Sequence, residues 1–340
     1  MKNKLDALPI PLLEWYHENA RTLPWRSDPT PYHVLVSEIM LQQTRVAAVV
    51  GYYGRFMDAL PDVTGLAAVE EDALLKLWQG LGYYNRARNL RKAARQIVED
   101  FGGEFPRSYE ALLTLAGVGE YTAGAIGSIA MGLPVPAVDG NVLRVVTRIT
   151  GDSSDITRPD TKKCITAALQ EIIPGRMPGD FNQALMELGA TVCLPNGAPR
   201  CEVCPAASFC AAYLEGRTGE IPVKAPKKAR RVEERIVYLM FRGNQVALRR
   251  RPDKGLLAGL WEYPNTLAGE APPIALEDLE FAAVGRHIFT HIEWHMTAYT
   301  AKVTGELPEG WVWADRAALE RDYAIPNAFQ GFEAVIQGRL

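Results

Sequence analysis

Apolar residues recur at helical spacing along roughly the first 215 residues of the chain. The apolar face of one such segment, 88–101, consists of Leu90, Ala94, Ile97 and Phe101, and its basic side chains fall elsewhere. Weaker patterns of the same kind predict helices over 70–79, 108–115, 120–131, 141–149, 160–172 and 180–190. Glycine and proline separate these segments, so this region is predicted to be mainly helical.

The pattern changes in the last third of the chain. Short runs rich in β-branched and aromatic residues predict strands over 236–241, 245–250, 260–264, 295–303 and 311–314. Helical patterns follow at 315–320 and 327–337. We therefore predict a separate α+β domain over 236–340. The preceding residues, 216–235, are polar and basic with little apolar periodicity, which is typical of a linker.

Composition places the chain among soluble globular proteins, with 48% hydrophobic and 23% charged residues. Its 340 residues are enough for two or three domains. No stretch approaches a transmembrane span, and the first residues lack the long apolar run of a signal peptide. We therefore expect a cytoplasmic protein with no membrane partner, associated with the nucleoid if it is bacterial. No oligomerisation motif is seen, so we expect a monomer.

Basic residues are concentrated in two short runs, although the formal net charge of −3 gives no global indication of nucleic-acid binding. Residues 86–95 carry five basic groups and no acidic group, and residues 217–235 carry seven basic groups against three acidic ones. A local basic stripe on a neutral protein can follow a phosphate backbone. For either run alone, a solvated helix face is the favoured interpretation.

Four of the five cysteines fall within eighteen residues, at Cys193, Cys201, Cys204 and Cys210. Such a group indicates two disulfides, a structural zinc ion or an iron–sulfur cluster. A cytosolic chain of this size has no need of disulfides, and zinc sites more often combine two CxxC pairs or cysteine with histidine. Four unevenly spaced thiolates favour one 4Fe–4S cluster, with zinc as the alternative. The fifth, Cys164, lies in a predicted helix and is interpreted as an ordinary residue.

Two carboxylates are candidates for acid–base chemistry. Glu38 lies on a largely apolar predicted helix, where desolvation would raise its pKa toward the range of a general acid. Asp139 precedes a predicted helix, where backbone N–H groups would keep it ionised and suited to stabilise a positive charge. The ordinary interpretations are an exposed helix residue for Glu38 and a simple N-cap for Asp139.

Two glycines, Gly117 and Gly119, lie between two predicted helices. A glycine turn that leaves N–H groups exposed at a helix N-terminus is a ready anion site, and near the basic runs the anion would be a DNA phosphate. An ordinary turn between two antiparallel helices would have the same sequence pattern.

Together these segments resemble the helix-hairpin-helix DNA glycosylases with a cysteine-bound cluster, and among them the adenine DNA glycosylases. The resemblance rests on LPWR at 23–26, SEIMLQQT at 37–44, GLGYYNRARNL at 80–90, LAGVGEYTAGAI at 115–126, VDGNVLRV at 138–145, the cysteine loop and GLLAGLWEYP at 255–264. It implies a helix-hairpin-helix glycosylase region over 1–215 and a Nudix-like lesion-recognition domain over 236–340. Within 1–215 it implies a six-helix subdomain at about 29–136 and a cluster subdomain made of 1–28 and 137–215.

The resemblance also implies an activity. Enzymes of this family flip adenine that is mispaired with 8-oxoguanine or guanine out of double-stranded DNA and hydrolyse its N-glycosidic bond. Glu38 matches the glutamate that protonates adenine N7 and later activates water. Asp139 matches the aspartate that stabilises the oxocarbenium-like sugar or bonds to it covalently, as in a retaining glycosidase. Tyr121 and Asn141 match residues that support this pair.

Further residues match family positions that contact DNA. Arg26 matches one near the site, Gln43 and Tyr83 match residues that wedge beside 8-oxoguanine, and Phe289, Thr290 and His291 match the loop that contacts 8-oxoguanine. In related glycosylase/lyases the position of Tyr121 holds a lysine that forms a Schiff base. We therefore expect base removal without efficient strand cleavage.

The sequence departs from the family pattern at three places. Seven residues separate Cys193 from Cys201, where six are expected; Ala116 replaces a proline; and Thr290 replaces a serine. The Nudix-like domain also lacks the acidic helix that Nudix hydrolases use to bind Mg²⁺, so pyrophosphatase activity is not expected.

Two alternative functions are a pyrimidine-damage glycosylase/lyase and a non-catalytic DNA-binding or redox protein with a cluster. Tyr121 and the extra domain argue against the first alternative. Glu38 and Asp139, each in its motif, argue against the second.

Overall fold

The protein was analysed as a computed structural model, which describes residues 2–226, 229–303 and 305–340. The chain divides into two compact units. The helical unit combines Met1–Ala68 with Asn89–Pro226, and the sheet unit combines Val69–Arg88 with Lys227–Leu340. Each unit is thus built from two separate stretches of chain.

The α-helices of the described chain are α1 (Lys2–Leu5), α2 (Pro9–Asn19), α3 (Pro24–Ser27), α4 (Pro31–Leu41), α5 (Val46–Ala59), α6 (Val63–Ala68), α7 (Glu71–Leu77), α8 (Asn85–Phe101), α9 (Tyr109–Leu112), α10 (Glu120–Ala125), α11 (Gly140–Thr150), α12 (Pro159–Ile172), α13 (Pro178–Thr191), α14 (Ala211–Leu214), α15 (Arg316–Arg321) and α16 (Glu333–Gln337). A π-helical turn, Ile126–Ala130, continues α10, and 3₁₀ turns lie at Cys201–Val203 and Asn327–Phe332.

Helices α2, α11 and α13 form a core of the helical unit. The side chains of α11 that enter this core repeat at helical spacing and are at most 2% exposed: Val142, Val145, Val146 and Ile149. They cluster with Leu12 of α2 and Leu185 of α13. Full burial of such a side chain contributes about 1.5–3 kcal/mol. This core therefore fixes the start of α11 and the buried face of α13, where candidate functional residues lie.

The described part of the sheet unit contains one seven-stranded sheet. Its strands are β1 (Arg231–Arg242), β2 (Gln245–Arg250), β3 (Trp261–Glu262), β4 (Asn265–Leu267), β5 (Leu276–Ile288), β6 (Ile292–Val303) and β7 (Trp311–Ala314). The order is β3-β2-β1-β6-β5, with β4 paired to β1 and β7 to β2. Strands β1 and β6 are parallel, with Val237 opposite Ala298, and β5 and β6 form a hairpin closed by residues 289–291.

One face of this sheet carries the core of the sheet unit. Its inward side chains, which include Val237, Trp294 and Met296, pack against the 3₁₀ turn through Phe329 and Phe332. The predicted fold class, a mainly helical N-terminal region followed by an α+β domain, is confirmed.

The stretch predicted to be a linker, 216–235, contributes to both units. Ile221 is 1% exposed, and its carbonyl accepts a hydrogen bond from Arg148 Nε at 2.7 Å in the helical unit. Strand β1 of the sheet unit begins at Arg231. The domain boundaries inferred from the sequence stay a prediction.

Across the described residues, we find no helix with the length and hydrophobicity needed to traverse a bilayer.

Candidate active site and cysteine loop

Glu38 lies on the buried face of α4. This helix begins at Pro31, and the side chain of Thr30 caps it by accepting a hydrogen bond from His33 N at 3.2 Å. Glu38 is only 6% exposed, and Tyr121 Oη donates a hydrogen bond to its Oε2 at 2.5 Å. Burial raises the pKa of Glu38 to about 7, against the opposing effect of the Tyr121 hydrogen bond. The carboxyl is therefore partly protonated near neutral pH.

Asp139 is the N-cap of α11. Its Oδ1 accepts hydrogen bonds from Asn141 N at 2.9 Å and Val142 N at 2.8 Å, and its Oδ2 accepts one from Asn141 Nδ2 at 2.8 Å. The cap geometry is thus present as the sequence indicates. Burial nevertheless raises the pKa of Asp139 above its usual value, because desolvation outweighs the hydrogen bonds that favour the carboxylate.

Arg144 fixes the orientation of the Asn141 side chain. Arg144 is 4% exposed, and its Nη2 donates to Asn141 Oδ1 at 2.8 Å and to Gly189 O at 2.8 Å. Its Nε donates to Cys193 O at 2.8 Å. Because the Asn141 oxygen is engaged by Arg144, the amide nitrogen is the group that faces Asp139. Arg144 was not predicted from the sequence, although a charged residue among the apolar positions of the helix predicted over 141–149 was a usable signal.

Glu187 is a second residue that the sequence analysis missed. It is 1% exposed on α13, where it accepts hydrogen bonds from Arg21 Nε at 2.5 Å and from Arg26 Nη2 at 2.8 Å. The two arginines hold the pKa of Glu187 below its usual value, although burial acts in the opposite direction. A glutamate inside the apolar face of a predicted helix could have identified it. Its two arginine partners are more than 160 positions away in sequence, so that pairing was not readable.

These groups line one cavity of the helical unit, with an empty volume of about 750 Å³ that includes space open to solvent. Its polar lining includes Glu38, Asp139, Asn141, Arg26 and Glu187. Its apolar lining includes Trp25, Val34, Leu41, Val46, Ile129 and Met186. A mostly apolar cleft with a few convergent polar groups suits a flat, polar-edged ligand such as a nucleobase.

The two glycines have different parts in the turn before α10. Gly117 has φ 75°, and a Cβ there would lie 2.7 Å from Asn89 Cβ, so glycine is required at this position. Gly119 has φ −95° and caps α10, where other residues could stand. Gly117 is thus the turn-forming glycine of the pair.

The remaining predicted contact residues lie on exposed turns. In the helical unit, Gln43 has φ 58° and is exposed just after α4. In the sheet unit, Tyr83 is 48% exposed, and its hydroxyl lies 3.2 Å from Thr290 Oγ1. Thr290 and His291 are exposed, and Phe289 is half-buried against Trp294. Tyr83 is therefore an exposed aromatic residue and does not belong to the core.

The four clustered cysteines line a second cavity of the helical unit, about 380 Å³ including open space. All five cysteines of the chain lie among the described residues and are free thiols. Arg148 Nη1 donates to Cys193 Sγ at 3.3 Å. Burial raises the pKa of the Cys204 thiol to about 12, so a bound cation is needed to keep it a thiolate.

The donor set of this cavity fits a four-thiolate cluster. Among the described residues, no three potential ligands converge closely enough to hold a single metal ion. A structural zinc site would need such convergence, with sulfur ligands about 2.3 Å from the ion. A four-iron cluster is larger, and its ligand sulfurs stand farther apart. The four free thiols around one apolar cavity are the residues that would hold the cluster.

The extra residue between Cys193 and Cys201 is accommodated on the surface. Arg200 N donates to Val192 O at 3.0 Å, which closes the loop at the end of α13. The intervening 195–198 are exposed, and Gly197 turns the chain with φ 75°. The longer spacing thus leaves all four cysteines facing the same cavity.

Comparison with known proteins gives two family matches and several relatives. Residues 36–174 match the HhH-GPD superfamily of base excision DNA repair proteins, and residues 236–332 match the NUDIX domain. A mouse protein described as adenine DNA glycosylase is 37% identical, over 96% of this chain and 78% of that protein.

Solved structures agree with these matches. A thermostable thymine-DNA glycosylase is 29% identical with a TM-score of 0.57, over 63% of this chain and 98% of that chain. A trapped endonuclease III–DNA covalent intermediate is 24% identical with a TM-score of 0.54, over 64% of this chain and 98% of that chain. The second likeness shows the fold of the helical region.

Proposed function

The chain belongs to the adenine DNA glycosylase family, and we propose that it removes adenine paired with 8-oxoguanine or guanine without cutting the DNA strand. It is a hydrolase that acts on the N-glycosidic bond of adenine in DNA. The opposite base, the roles of individual residues and the cofactor are the parts that we propose. The roles proposed for Glu38 and Asp139 are supported by the single cavity that both carboxylates line.

Glu38 acts first as a general acid. Its Oε2 accepts the hydrogen bond from Tyr121, so its Oε1 is the oxygen that carries the proton to adenine N7. Protonation at N7 lets the C1′–N9 bond break with its electron pair leaving on neutral adenine. A pKa of about 7 makes the protonated form available near neutral pH.

Asp139 acts on the sugar. Its Oδ2 accepts only the Asn141 amide among the hydrogen bonds described, so a lone pair remains for the developing positive charge at C1′. The carboxylate stabilises the oxocarbenium ion or bonds to C1′. Glu38, now a carboxylate, then takes a proton from water as that water attacks C1′ and releases Asp139. The products are adenine and an abasic site.

Arg26 and Glu187 supply polar groups for the edge of the flipped base. Glu187 is held between Arg21 and Arg26, which fixes its carboxylate at the cavity wall. Trp25 and Leu41 provide apolar surface for the faces of a purine ring. The site contains no lysine at the Tyr121 position, so a Schiff base with the abasic sugar is not expected there.

Recognition of 8-oxoguanine is assigned to exposed groups outside this cavity. In the sheet unit, the paired Tyr83 and Thr290 provide an aromatic ring and a hydroxyl next to each other, with Phe289 and His291 beside them. In the helical unit, Gln43 provides a long amide on an exposed turn. These types suit stacking and hydrogen bonding to a base whose neighbour has been flipped out.

Cys193, Cys201, Cys204 and Cys210 would bind one 4Fe–4S cluster. When bound, the cluster joins the end of α13 to α14 by four metal–sulfur bonds and stabilises the loop between them. No step of base removal needs it.

Gly117, at the turn before α10, contributes to binding the DNA phosphate backbone.

The test uses duplexes with a single adenine opposite 8-oxoguanine, guanine or thymine. We expect adenine release from the first two and little from the third. The abasic strand should stay intact until it is treated with hot alkali. Spontaneous strand cleavage in step with adenine release would instead identify a glycosylase/lyase, and equal release from all three duplexes would contradict the proposed substrate.

A further inference from the structure

Tyr83 stands on a backbone turn that needs support from its surroundings. Gly80, Gly82 and Tyr83 have φ values of 102°, 70° and 47°. The left-handed conformation is unfavourable for a non-glycine residue by about 1 kcal/mol or more, and it persists only where neighbouring groups enforce it. The exposed Tyr83 ring is therefore positioned by contacts of the turn rather than by its own conformational preference.

Part of this support comes from the turn's own neighbours. Trp78 Nε1 donates to Gly82 O at 3.1 Å, and Arg86 Nη2 donates to Leu81 O at 3.0 Å and to Gly82 O at 3.1 Å. The Arg86 guanidinium also lies 5.5 Å from the Tyr83 ring centroid. These bonds set the shape of the turn but do not set its place relative to Thr290.

Contacts between the stretch 69–88 and the rest of the sheet unit set that place. Lys76 Nζ on α7 donates to Leu319 O at 2.7 Å and Tyr323 O at 3.1 Å, at the end of α15. It also donates to Gln79 Oε1 at 2.8 Å, so all three of its N–H donors have acceptors. Burial lowers the pKa of Lys76, which reflects how far the ammonium is withdrawn from water.

Other contacts repeat this pattern on both sides of Tyr83. Arg88 Nη2 donates to Ala258 O at 2.7 Å, and Asn327 Nδ2 donates to Gly80 O at 3.1 Å. Asp72 forms an ion pair with Arg250 at 3.2 Å. The stretch 69–88 is thereby part of the same compact unit as the strand-rich domain, although the sequence between them folds into the helical unit.

We propose that Lys76 is a positioning residue for recognition of the opposite base, because it fixes the stretch that carries Tyr83 against the domain that carries Thr290. This rests on the proposed reading of 8-oxoguanine by that pair. Lys76 touches no substrate in this proposal. Its two hydrogen bonds to the end of α15 hold the stretch in place, so that Tyr83 and Thr290 form one preorganised surface and the binding energy of 8-oxoguanine is not spent on ordering them.

The test measures second-order rates of adenine release opposite 8-oxoguanine and opposite guanine. Lys76→Met keeps the side-chain stem and removes all three donors. We expect the ratio of the two rates to fall about tenfold, the size of a typical coupling between contacting groups, while release opposite guanine changes little. Lys163→Met, on the exposed face of α12, is the matched control and should keep the wild-type ratio.

A double variant distinguishes positioning from general loosening. Thr290→Val removes the hydroxyl that faces Tyr83, so Lys76→Met should reduce the ratio much less in that background than in the wild type. An unchanged ratio for Lys76→Met, equal losses opposite both bases, or fully additive effects with Thr290→Val would each overturn the proposal. If Lys76→Met does not fold, Lys76→Gln, which removes the charge and one donor, is measured by the same ratio, and an unchanged ratio would overturn the proposal.

Failure of the proposed function gives a different result. A wild-type protein with equal rates opposite 8-oxoguanine and guanine would remove the premise that the sheet unit reads the lesion. A wild-type preference that survives in Lys76→Met would overturn only the role of Lys76.

Discussion

Glu38 and Asp139 are both buried carboxyl groups, but their hydrogen bonds differ. Glu38 accepts one bond, from Tyr121, whereas Asp139 accepts three, two of them from backbone N–H groups at the start of α11. Hydrogen bonds that favour the charged form lower a pKa, and burial raises it. Glu38 is therefore the better proton donor and Asp139 the better anion, which is the division of roles that glycosidic cleavage requires.

The same burial predicts a pH-dependent gain in stability for Glu38→Gln. Glu38 has a pKa of about 7 in the folded protein and an ordinary value of 4.5. The stability associated with its protonated form is fully present below the ordinary value and is lost as pH rises through about 7. Glutamine cannot ionise, so the variant should be more stable than wild type above pH 7, by up to about 3 kcal/mol.

Thermal unfolding of Glu38→Gln and of the wild type at about pH 5 and about pH 8 measures this difference in stability. The gain should be small at the lower pH and large at the higher one. Glu110→Gln, at an exposed position of α9, should show no such trend. A gain that is the same at both pH values would contradict the burial of an ionisable Glu38.

At the scale of elements, the close crossing of α11 and α13 positions Asp139, the carboxylate proposed to act on the sugar. A Cβ on Gly189 of α13 would lie 2.6 Å from Asn141 Cβ and 3.2 Å from Asn141 Cα on α11. Asn141 in turn donates to Asp139. Glycine at 189 thus permits an approach of two helices on which the geometry of Asp139 depends.

Gly189→Ala should therefore impair both stability and activity. Forcing a methyl group into this crossing is expected to destabilise the protein by about 1–3 kcal/mol and to slow adenine release, because Asn141 must move. Gly175→Ala is a matched control, since a Cβ there meets nothing within 4 Å. Adenine release by Gly189→Ala at the wild-type rate would show that the crossing does not position Asp139.

Elements with clear periodicity could be predicted, and others could not. Strands β2 and β7 occupy the predicted ranges 245–250 and 311–314. No strand was predicted where β5 lies, because two irregularities in its pairing with β6 interrupt the alternation and leave Phe281 and Val284 exposed. The helix predicted over 108–115 is wrong in extent: only Tyr109–Leu112 is α-helical, and the chain turns soon afterwards at Gly117.

Some residues of the candidate site could likewise be predicted from the sequence, and others could not. Glu38 and Asp139 were identifiable because each lies in a short motif with local chemistry. The bonds of Glu187 to Arg21 and Arg26, and of Lys76 to the end of α15, join residues far apart in the chain. Such pairings depend on the tertiary arrangement, which no local pattern encodes.

At the scale of the whole molecule, the chain builds two units by leaving each and returning to it. The stretch 69–88 belongs to the sheet unit, together with the C-terminal domain. The cysteine loop lies near the end of the second stretch of the helical unit, Asn89–Pro226. Loss of the proposed cluster should therefore loosen the helical unit locally and leave Glu38 and Asp139, the proposed catalytic carboxyl groups, in place.

The variant Cys204→Ser tests whether Cys204 is a cluster ligand and whether the cluster stabilises the helical unit. We expect the variant to lose iron and the visible absorbance of the cluster, and to unfold at a lower temperature, because the loop between α13 and α14 loses its metal–sulfur bonds. Cys164→Ser is a matched control, because Cys164 is exposed on α12 and outside the cysteine cavity. Full iron content in Cys204→Ser would show that Cys204 is not a ligand.

The most direct test of the central claim is single-turnover adenine release by Asp139→Asn from a duplex with one adenine opposite 8-oxoguanine. Asparagine keeps an oxygen for the cap of α11 but removes the negative charge at C1′, so folding should be preserved. We predict a rate lower than that of wild type by about 1,000-fold or more. Release at the wild-type rate by the folded variant would contradict the assignment of Asp139 and, with it, the two-carboxylate mechanism.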